Sequence, residues 1–457
     1  MAFLYLPFTT RHFMIKAGYR AHGGAALAAL LLGGCAHYTP LPLAVVPPLT
    51  ASLPVSTPLS IADVVVLTLE RSPDLRAVRA KRGVAQSQLL QSGILPNPSF
   101  SGALLPLLSG AGAVSAWTLG LSQDIKSLLT YLPKRRAAGF SAGQVDADIL
   151  WQEWQVAGQA RQITVDLIAG ERTRPPLEQA FTLLSHRNAV LQQALVAGNA
   201  TLVTAAPTQV ALQAVRSSLD ALDQRQLHLR HQLNALLGLV PEADVRLAPE
   251  IALPAFDPAA IRLQLASLPD RRPDLLALRL GYAAQDEIVR QQILAQFPDM
   301  ILGAGSSSDN SRVINGGPQL TVGLPVFDRN QGNVAIARTT RAQLNAEYAA
   351  RLAAAVGEVS ALLREMEQMS VQLSILRRDL PATRLAAERA SAAFGASALD
   401  ERSYVDLLTN RFTKEQEVMT FELGLLDRQV AMQTLVGAGL PSIESLPAMP
   451  AAKANGQ

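Results

Sequence analysis

Few side chains in this sequence could do covalent or acid–base chemistry, and none sits beside a partner suited to help it. Cys35 is the single thiol among 457 residues. His228 and His231 stand three apart, a spacing that puts both on one helix face and could offer two metal ligands, but no cysteine or acidic cluster supplies a third and fourth. Asp400 and Glu401 adjoin Arg402, so ion pairing or solvation explains them more simply than paired-carboxylate catalysis. Gly303 and Gly305 fall in strand-like sequence, and no lysine completes a phosphate loop there. Without a nucleophile next to a base, the chain is not expected to be an enzyme or to hold a cofactor or resident metal.

The elements that carry these residues belong to a folded chain: 49% of residues are hydrophobic, 17% charged and 5% aromatic. The apolar residues are mostly Ala, Leu and Val spread along the chain, and no segment after Cys35 supplies the ~20 uninterrupted apolar residues of a spanning helix. The formal charge of +3 comes from Arg11, Lys16 and Arg20, all before Cys35; from Cys35 onward 37 basic residues balance 37 acidic ones. That balance leaves no electrostatic footprint for nucleic acid.

Lys16 and Arg20 precede the short apolar run Ala25 to Leu32, the architecture of a signal peptide over 1–34. Met14 is an alternative start to Met1. Leu32-Gly33-Gly34-Cys35 resembles the lipobox of bacterial lipoproteins, which implies acylation of Cys35, with palmitate among the acyl groups. Ala36 in place of Asp resembles the signal for release to the outer membrane. Residues 35–58 then read as a lipidated, Pro-rich tether.

The body is one pattern written twice. Arg71-Ser72-Pro73-Asp74-Leu75 recurs 200 residues later as Arg271-Arg272-Pro273-Asp274-Leu275, each with Pro and Asp at a helix start. Each helix leads to a pair of predicted strands, 99–108 with 116–125 and 300–309 with 319–327. Each pair is followed by a very long helix, a glycine hinge at Gly198 or Gly395, and a returning helix. Gly332 to Ala393 alone is ~93 Å of helix at 1.5 Å per residue. Val405, Phe412, Met419 and Leu426 recur every seven residues as a packing seam. Pro175-Pro176, Pro207 and Pro381 predict interruptions of the helices. Four strands cannot close a barrel, because open edges would leave amides unpaired in hydrocarbon; several chains must share one, with the polar strand face lining water.

The doubled Pro-Asp-Leu starts, Leu233-Asn234-Ala235-Leu236-Leu237-Gly238-Leu239 with Pro241, Leu324-Pro325-Val326-Phe327-Asp328-Arg329-Asn330-Gln331-Gly332, and Leu435-Val436-Gly437-Ala438-Gly439-Leu440-Pro441 together resemble the TolC-type outer-membrane efflux proteins of the lipoprotein branch. The resemblance covers about Ser60 to Leu440. It implies a mainly α fold with a small β membrane part: long helical hairpins and four transmembrane strands per chain, and a homotrimer with a 12-strand β-barrel on a 12-helix α-barrel. The first repeat would span 59–250 and the second 251–441, with 442–457 a disordered tail. The implied function is the exit duct of a tripartite efflux system, working with outer-membrane lipid, a periplasmic adaptor and an inner-membrane pump of the RND type. Phe327 to Gly332 resembles the heavy-metal branch, which makes metal cations, besides drugs, candidate cargo. Gly198, Asn199, Thr201, Gly395 and Ser397 would contact the adaptor, and Asp400, Glu401 and Asp406 would form acidic rings at the periplasmic gate. The competing reading is a periplasmic lipoprotein adaptor or scaffold with coiled-coil hairpins.

Overall fold

The computed structural model describes residues 38–46, 48–53, 57–253 and 257–446. The signal peptide, Cys35 and most of the tail lie outside them. The chain divides into two units, Met1–Pro48 and Leu49–Gln457. In the first, residues 38–46 are exposed and without helix or strand, and the second holds the helices and strands. The expected tether is only partly free: Thr50 bridges Leu239, Leu59 bridges Leu247, and Leu59 N donates to Arg246 O at 2.9 Å.

Helix α1 (Ile61–Arg71) starts in a capping box: Ser60 accepts from Asp63 N, and the Asp63 carboxylate accepts from Ser60 N. Helix α2 (Pro73–Ser92) begins two residues later, with Pro73 at its first position and the Ser72 hydroxyl accepting from Leu75 N. Strands β1 (Ser99–Leu105) and β2 (Ala116–Asp124) lead into α3 (Ile125–Val196), which Asp124 caps, and α4 (Leu202–Leu236) returns beside it. After the short α5 (Pro258–Gln264) and α6 (Leu268–Arg271), the same succession of helix, two strands, long helix and returning helix occurs again. It comprises α7 (Pro273–Leu294), β3 (Met300–Ser308), β4 (Ile314–Val322), α8 (Gln331–Gly395) and α9 (Glu401–Val436).

The 72 residues of α3 and 65 of α8 correspond to about 108 and 98 Å of helix. Such lengths hold only by packing along the way, and successive apolar clusters supply it. Ala147 meets Leu276, Ala277 and Leu280. Ile163 and Leu167 meet Val64, Leu229 and Leu233. Further along, Leu184 meets Ala211, Ala390, Tyr404 and Leu408. Small residues let the helices approach: a Cβ on Gly170 would overlap the Gln226 amide, and one on Gly158 would lie 2.5 Å from Thr434 Oγ1. Of the predicted seam Val405 is buried and Phe412, Met419 and Leu426 are half-buried, with Leu408 and Val430 buried beside them.

The repeated helix-start motif does different work in its two places. Arg272 is fully buried; it donates to Asp274 at 2.7 and 3.0 Å and lies 4.9 Å over the Trp151 ring. Burial alone would raise the Asp274 pKa, but the guanidinium groups of Arg272 and Arg351 outweigh it and hold the carboxyl below its ordinary value. Ser72, at the matching position, is a simple cap.

Three expectations are corrected. Pro175, Pro176, Pro207 and Pro381 all lie within continuous helices, as does Pro133, because packing on both neighbours outweighs the one backbone bond each proline removes. The fourth strand is Ile314–Val322 rather than 319–327: Asp309 accepts from Ser311 N and Val313 N at 2.8 and 2.9 Å, closing a tight turn with Arg312 at φ 68°, and Pro325 cannot continue a ladder. Pro106 likewise ends β1 early. The stretch from residue 442 begins in contact with the body, since Ile443 and Leu446 pack on the cluster around Leu276.

Helix α9 ends at Gly437 with φ 74°, and a Cβ there would come within 2.2 Å of the Trp154 ring, which itself donates to Pro441 O at 2.8 Å. Gly437→Ala combines left-handed strain with overpacking and should cost about 2–4 kcal/mol, read as a lowered urea midpoint of the detergent-solubilised protein. A midpoint equal to wild type would contradict this packing.

Candidate functional site

The four strands form one antiparallel sheet in the order β1-β2-β3-β4, and its register sorts residues by face. Phe100 pairs with Leu121, Leu121 with Ala304 and Ala304 with Pro318. Gln123 pairs with Leu302 and Leu302 with Leu320. Directly paired residues share a face and side chains alternate along each strand. One face therefore carries Phe100, Leu104, Trp117, Leu119, Leu121, Leu302, Ile314, Leu320 and Val322, and Phe100 is 73% exposed. The other carries Ser101, Thr118, Gly120, Ser122, Gly303, Gly305, Ser307, Asn315, Gly317 and Gln319; the exceptions are Leu105 and Ile301 on this face and Gln123, Ser306 and Ser308 on the first. Gly120, Gly305 and Gly317 make a continuous row across three strands.

The small face is also the crowded one. A Cβ on Gly303 would lie 2.8 Å from Leu121 O, and one on Gly120 would lie 2.8 Å from Ser101 Oγ. Missing side chains let the strands approach on that side. Among the described residues β1 and β4 each have a single strand neighbour, so both outer edges retain unpaired backbone groups. No helix among them is long and apolar enough to cross a membrane.

At the other end of the long helices lie the hairpin turns. Gly198 (φ 73°) comes just after the end of α3, and Thr201 caps α4 by accepting from Thr204 N; Asn199 N bonds Ala194 O. In the second hairpin the left-handed residue is Ser397 (φ 57°), not Gly395, which is the last residue of α8. Ser397 N bonds Phe394 O as Gly198 N bonds Leu195 O, so Gly198 corresponds to Ser397 rather than to Gly395. The sequence likeness of the two glycines misleads by two positions.

The three expected gate carboxylates have three different surroundings. Asp400 caps α9, and the bonds it accepts from Ser403 hold its pKa below the ordinary value. Asp406 is exposed, 3.9 Å from Arg402. Glu401 is buried and does not present a free charge: Arg187 of α3 donates to both its oxygens, with Nε at 2.9 and 3.0 Å, and Thr208 of α4 donates at 3.2 Å. That bond to Glu401 is the main cause of the raised Arg187 pKa. Arg187 also lies 4.2 Å over Phe394, and Phe394 stacks on Tyr404 with centroids 4.6 Å apart. This cluster fastens the first hairpin to the second. No sequence signal paired Arg187 with a carboxylate 214 residues away.

Elsewhere, burial raises the Asp427 pKa, opposed by the Gln162 amide and reinforced by Asp166. His228 contacts Gln232 at 2.9 Å, and among the described residues no three His, Cys, Asp or Glu side chains gather as a metal-holding group.

Removing Glu401 should leave Arg187 partly buried without its acceptor. Glu401→Ala is expected to cost about 1–3 kcal/mol and to speed proteolytic cleavage near the tips, whereas Asp406→Ala should stay within ~0.5 kcal/mol. Equal cleavage rates for the two variants would refute the assignment.

Residues 265–438 match the family model described as "Outer membrane efflux protein". The Salmonella typhimurium protein "Probable outer membrane lipoprotein SilC" is 22% identical over 264 residues, covering 55% of this chain. The match spans only 56% of that relative's own length. Among solved structures, CusC superposes with a TM-score of 0.67 at 18% identity, covering 83% of this chain and 92% of the other. The Campylobacter jejuni CmeC outer membrane channel gives 0.69 at 17%, covering 83% and 86%. At such identities the structures establish the fold alone, which this chain shares with these channels. The likeness to that family thus covers residues 265–438, in the second half of the chain, while the fold as a whole is shared with the solved channels.

Proposed function

We propose that three copies of this chain assemble in the outer membrane as the exit duct of a tripartite efflux system. The observation that carries this reading is the two-faced sheet with two open edges. An exposed apolar face is unfavourable in water, and unpaired edge amides are untenable in hydrocarbon unless further strands close the ring; three copies of four strands make a barrel of twelve. The apolar face then meets lipid and the face of Ser, Thr, Gly and Gln meets water. Residues 59–250 and 251–441 act as two repeats, and their long helices from three copies form a 12-helix tunnel through the periplasm.

Conduction is passive, and energy comes from an inner-membrane pump of the RND type joined through a periplasmic adaptor at Gly198, Asn199, Thr201, Gly395 and Ser397. The contact of Arg187 and Thr208 with Glu401 is the closed-state fastening, and adaptor binding biases the hairpins toward an open arrangement. Asp400 and Asp406 remain the exposed carboxylates near the tip, where threefold copies would favour cations. Small solutes, with heavy-metal cations or drugs as candidates, are the cargo; support for metals is the likeness of Phe327 to Gly332 to the metal-exporting branch. Acylation at Cys35 anchors the chain to the outer membrane. A scaffold built only of hairpins has no use for the sheet, which disfavours the adaptor reading.

In planar bilayers the purified protein should conduct, and Asp406→Arg should shift its ion preference toward anions; unchanged selectivity would remove Asp406 from the conduit. In detergent it should migrate as a trimer that collapses on boiling, and a monomer at all temperatures would defeat the assembly. Labelled palmitate should enter the wild type and not Cys35→Ala; equal incorporation would mean that another residue is acylated.

A further inference from the structure

The sheet's helix-side end is ringed by apolar residues that keep much of their surface exposed. Leu128, Leu129 and Leu132 open α3, Ile94 and Leu95 lead into β1, and Leu324, Val326 and Phe327 come after β4, with Phe327 93% exposed. Just past Leu132 come Lys134, Arg135 and Arg136, all exposed. None has an ion-pair or hydrogen-bond partner among the described residues, and no Asp or Glu occurs from 125 to 145. The spacing of Leu128, Leu132 and Arg135-Arg136 places apolar and then basic groups along one helix face.

The second half repeats the order independently. Exposed Ile336 precedes Arg338 on α8, Arg338 is likewise unpaired, and no acidic residue occurs from 329 to 346. The cations elsewhere on these faces are committed: Lys126 bonds Asp299 at 2.8 Å and Arg341 bonds Asp286 at 2.6 Å.

We infer that this collar is a docking surface for phospholipid headgroups of the inner leaflet of the outer membrane, whose phosphates Lys134, Arg135, Arg136 and Arg338 engage. The inference rests on the membrane placement of the sheet proposed above. Its geometry suits the site: Leu132 to Arg136 is ~6 Å along the helix, about the depth of one headgroup layer beside the hydrocarbon. Long basic side chains reach such a layer while their stems stay on apolar surface. The apolar ring is continuous with the lipid-facing side of the sheet, and the unpaired cations complement an anionic layer.

The test uses the full-length protein in dodecyl maltoside, titrated with palmitoyl-oleoyl-phosphatidylglycerol and separately with the phosphatidylcholine of the same chains, bound lipid being counted by native mass spectrometry. The wild type should prefer phosphatidylglycerol. The triple variant Lys134→Gln, Arg135→Gln, Arg136→Gln should bind it about fivefold more weakly per cation removed, on the order of a hundredfold in all, while remaining trimeric and conducting. Arg338→Gln should give a single step of about fivefold.

Equal binding of phosphatidylglycerol by wild type and triple variant, or no preference in the wild type, overturns the inference. A triple variant that falls apart into monomers with unchanged lipid binding also overturns it, because another copy of the chain, not lipid, would then cover the collar. A wild type that fails to conduct counts against the channel reading alone, since the lipid comparison is read in the same sample without it.

Discussion

Backbone amides tolerate no vacancy in hydrocarbon, and on the proposed membrane placement of the sheet that constraint governs most of this molecule. Each chain brings two strand pairs whose large apolar side chains project mostly from one face and whose hydroxyls and glycines lie mostly on the other. Within one chain β2 and β3 satisfy each other, but β1 and β4 do not satisfy their outer edges. The glycine row of Gly120, Gly305 and Gly317 makes the solution geometric as well as chemical, since approach on the small face favours curling toward it. A flat, self-sufficient sheet would have had no reason to exclude side chains there.

The helices answer a different requirement. An α3 of 72 residues has no single core, so its stability is assembled in segments, each with its own partners. Near the strands it lies against α7, midway against α1 and α4, and toward the turn against α4 and the start of α9. Two of the buried charged groups are matched by a counter-charge and a ring, Arg272 beside Asp274 and Trp151, and Glu401 beside Arg187, which also lies over Phe394. The local rules against internal proline give way in this setting because lateral packing is nearly continuous.

Much of this was readable in the sequence. Alternation along the strands, the Pro-Asp-Leu helix starts and the seven-residue seam each arise from side chains a few positions apart. What escaped depended on distance in the chain or on backbone geometry. Glu401 looked like one more carboxylate near a tip, and only the fold shows Arg187 and Thr208 arriving from the other hairpin. Ser397 is an unexpected occupant of a left-handed position, so Gly395 drew the expectation instead. The end of β4 was misplaced because Leu324 and Val326 keep the alternation going after the ladder has stopped, while the turn held by Asp309 starts the strand earlier.

The pairing of β2 with β3 carries a consequence for biogenesis. Asp124 and Ile301 meet as ladder neighbours although a stretch of nearly half the body's length lies between them. Closing a loop of that size is slow relative to local events. On the proposed route to the outer membrane, a newly exported chain carries its first hairpin through the aqueous compartment with a greasy side uncovered until synthesis and translocation have delivered the second. Such an interval invites aggregation, and a holding chaperone that recognises extended apolar segments is the natural escort for it.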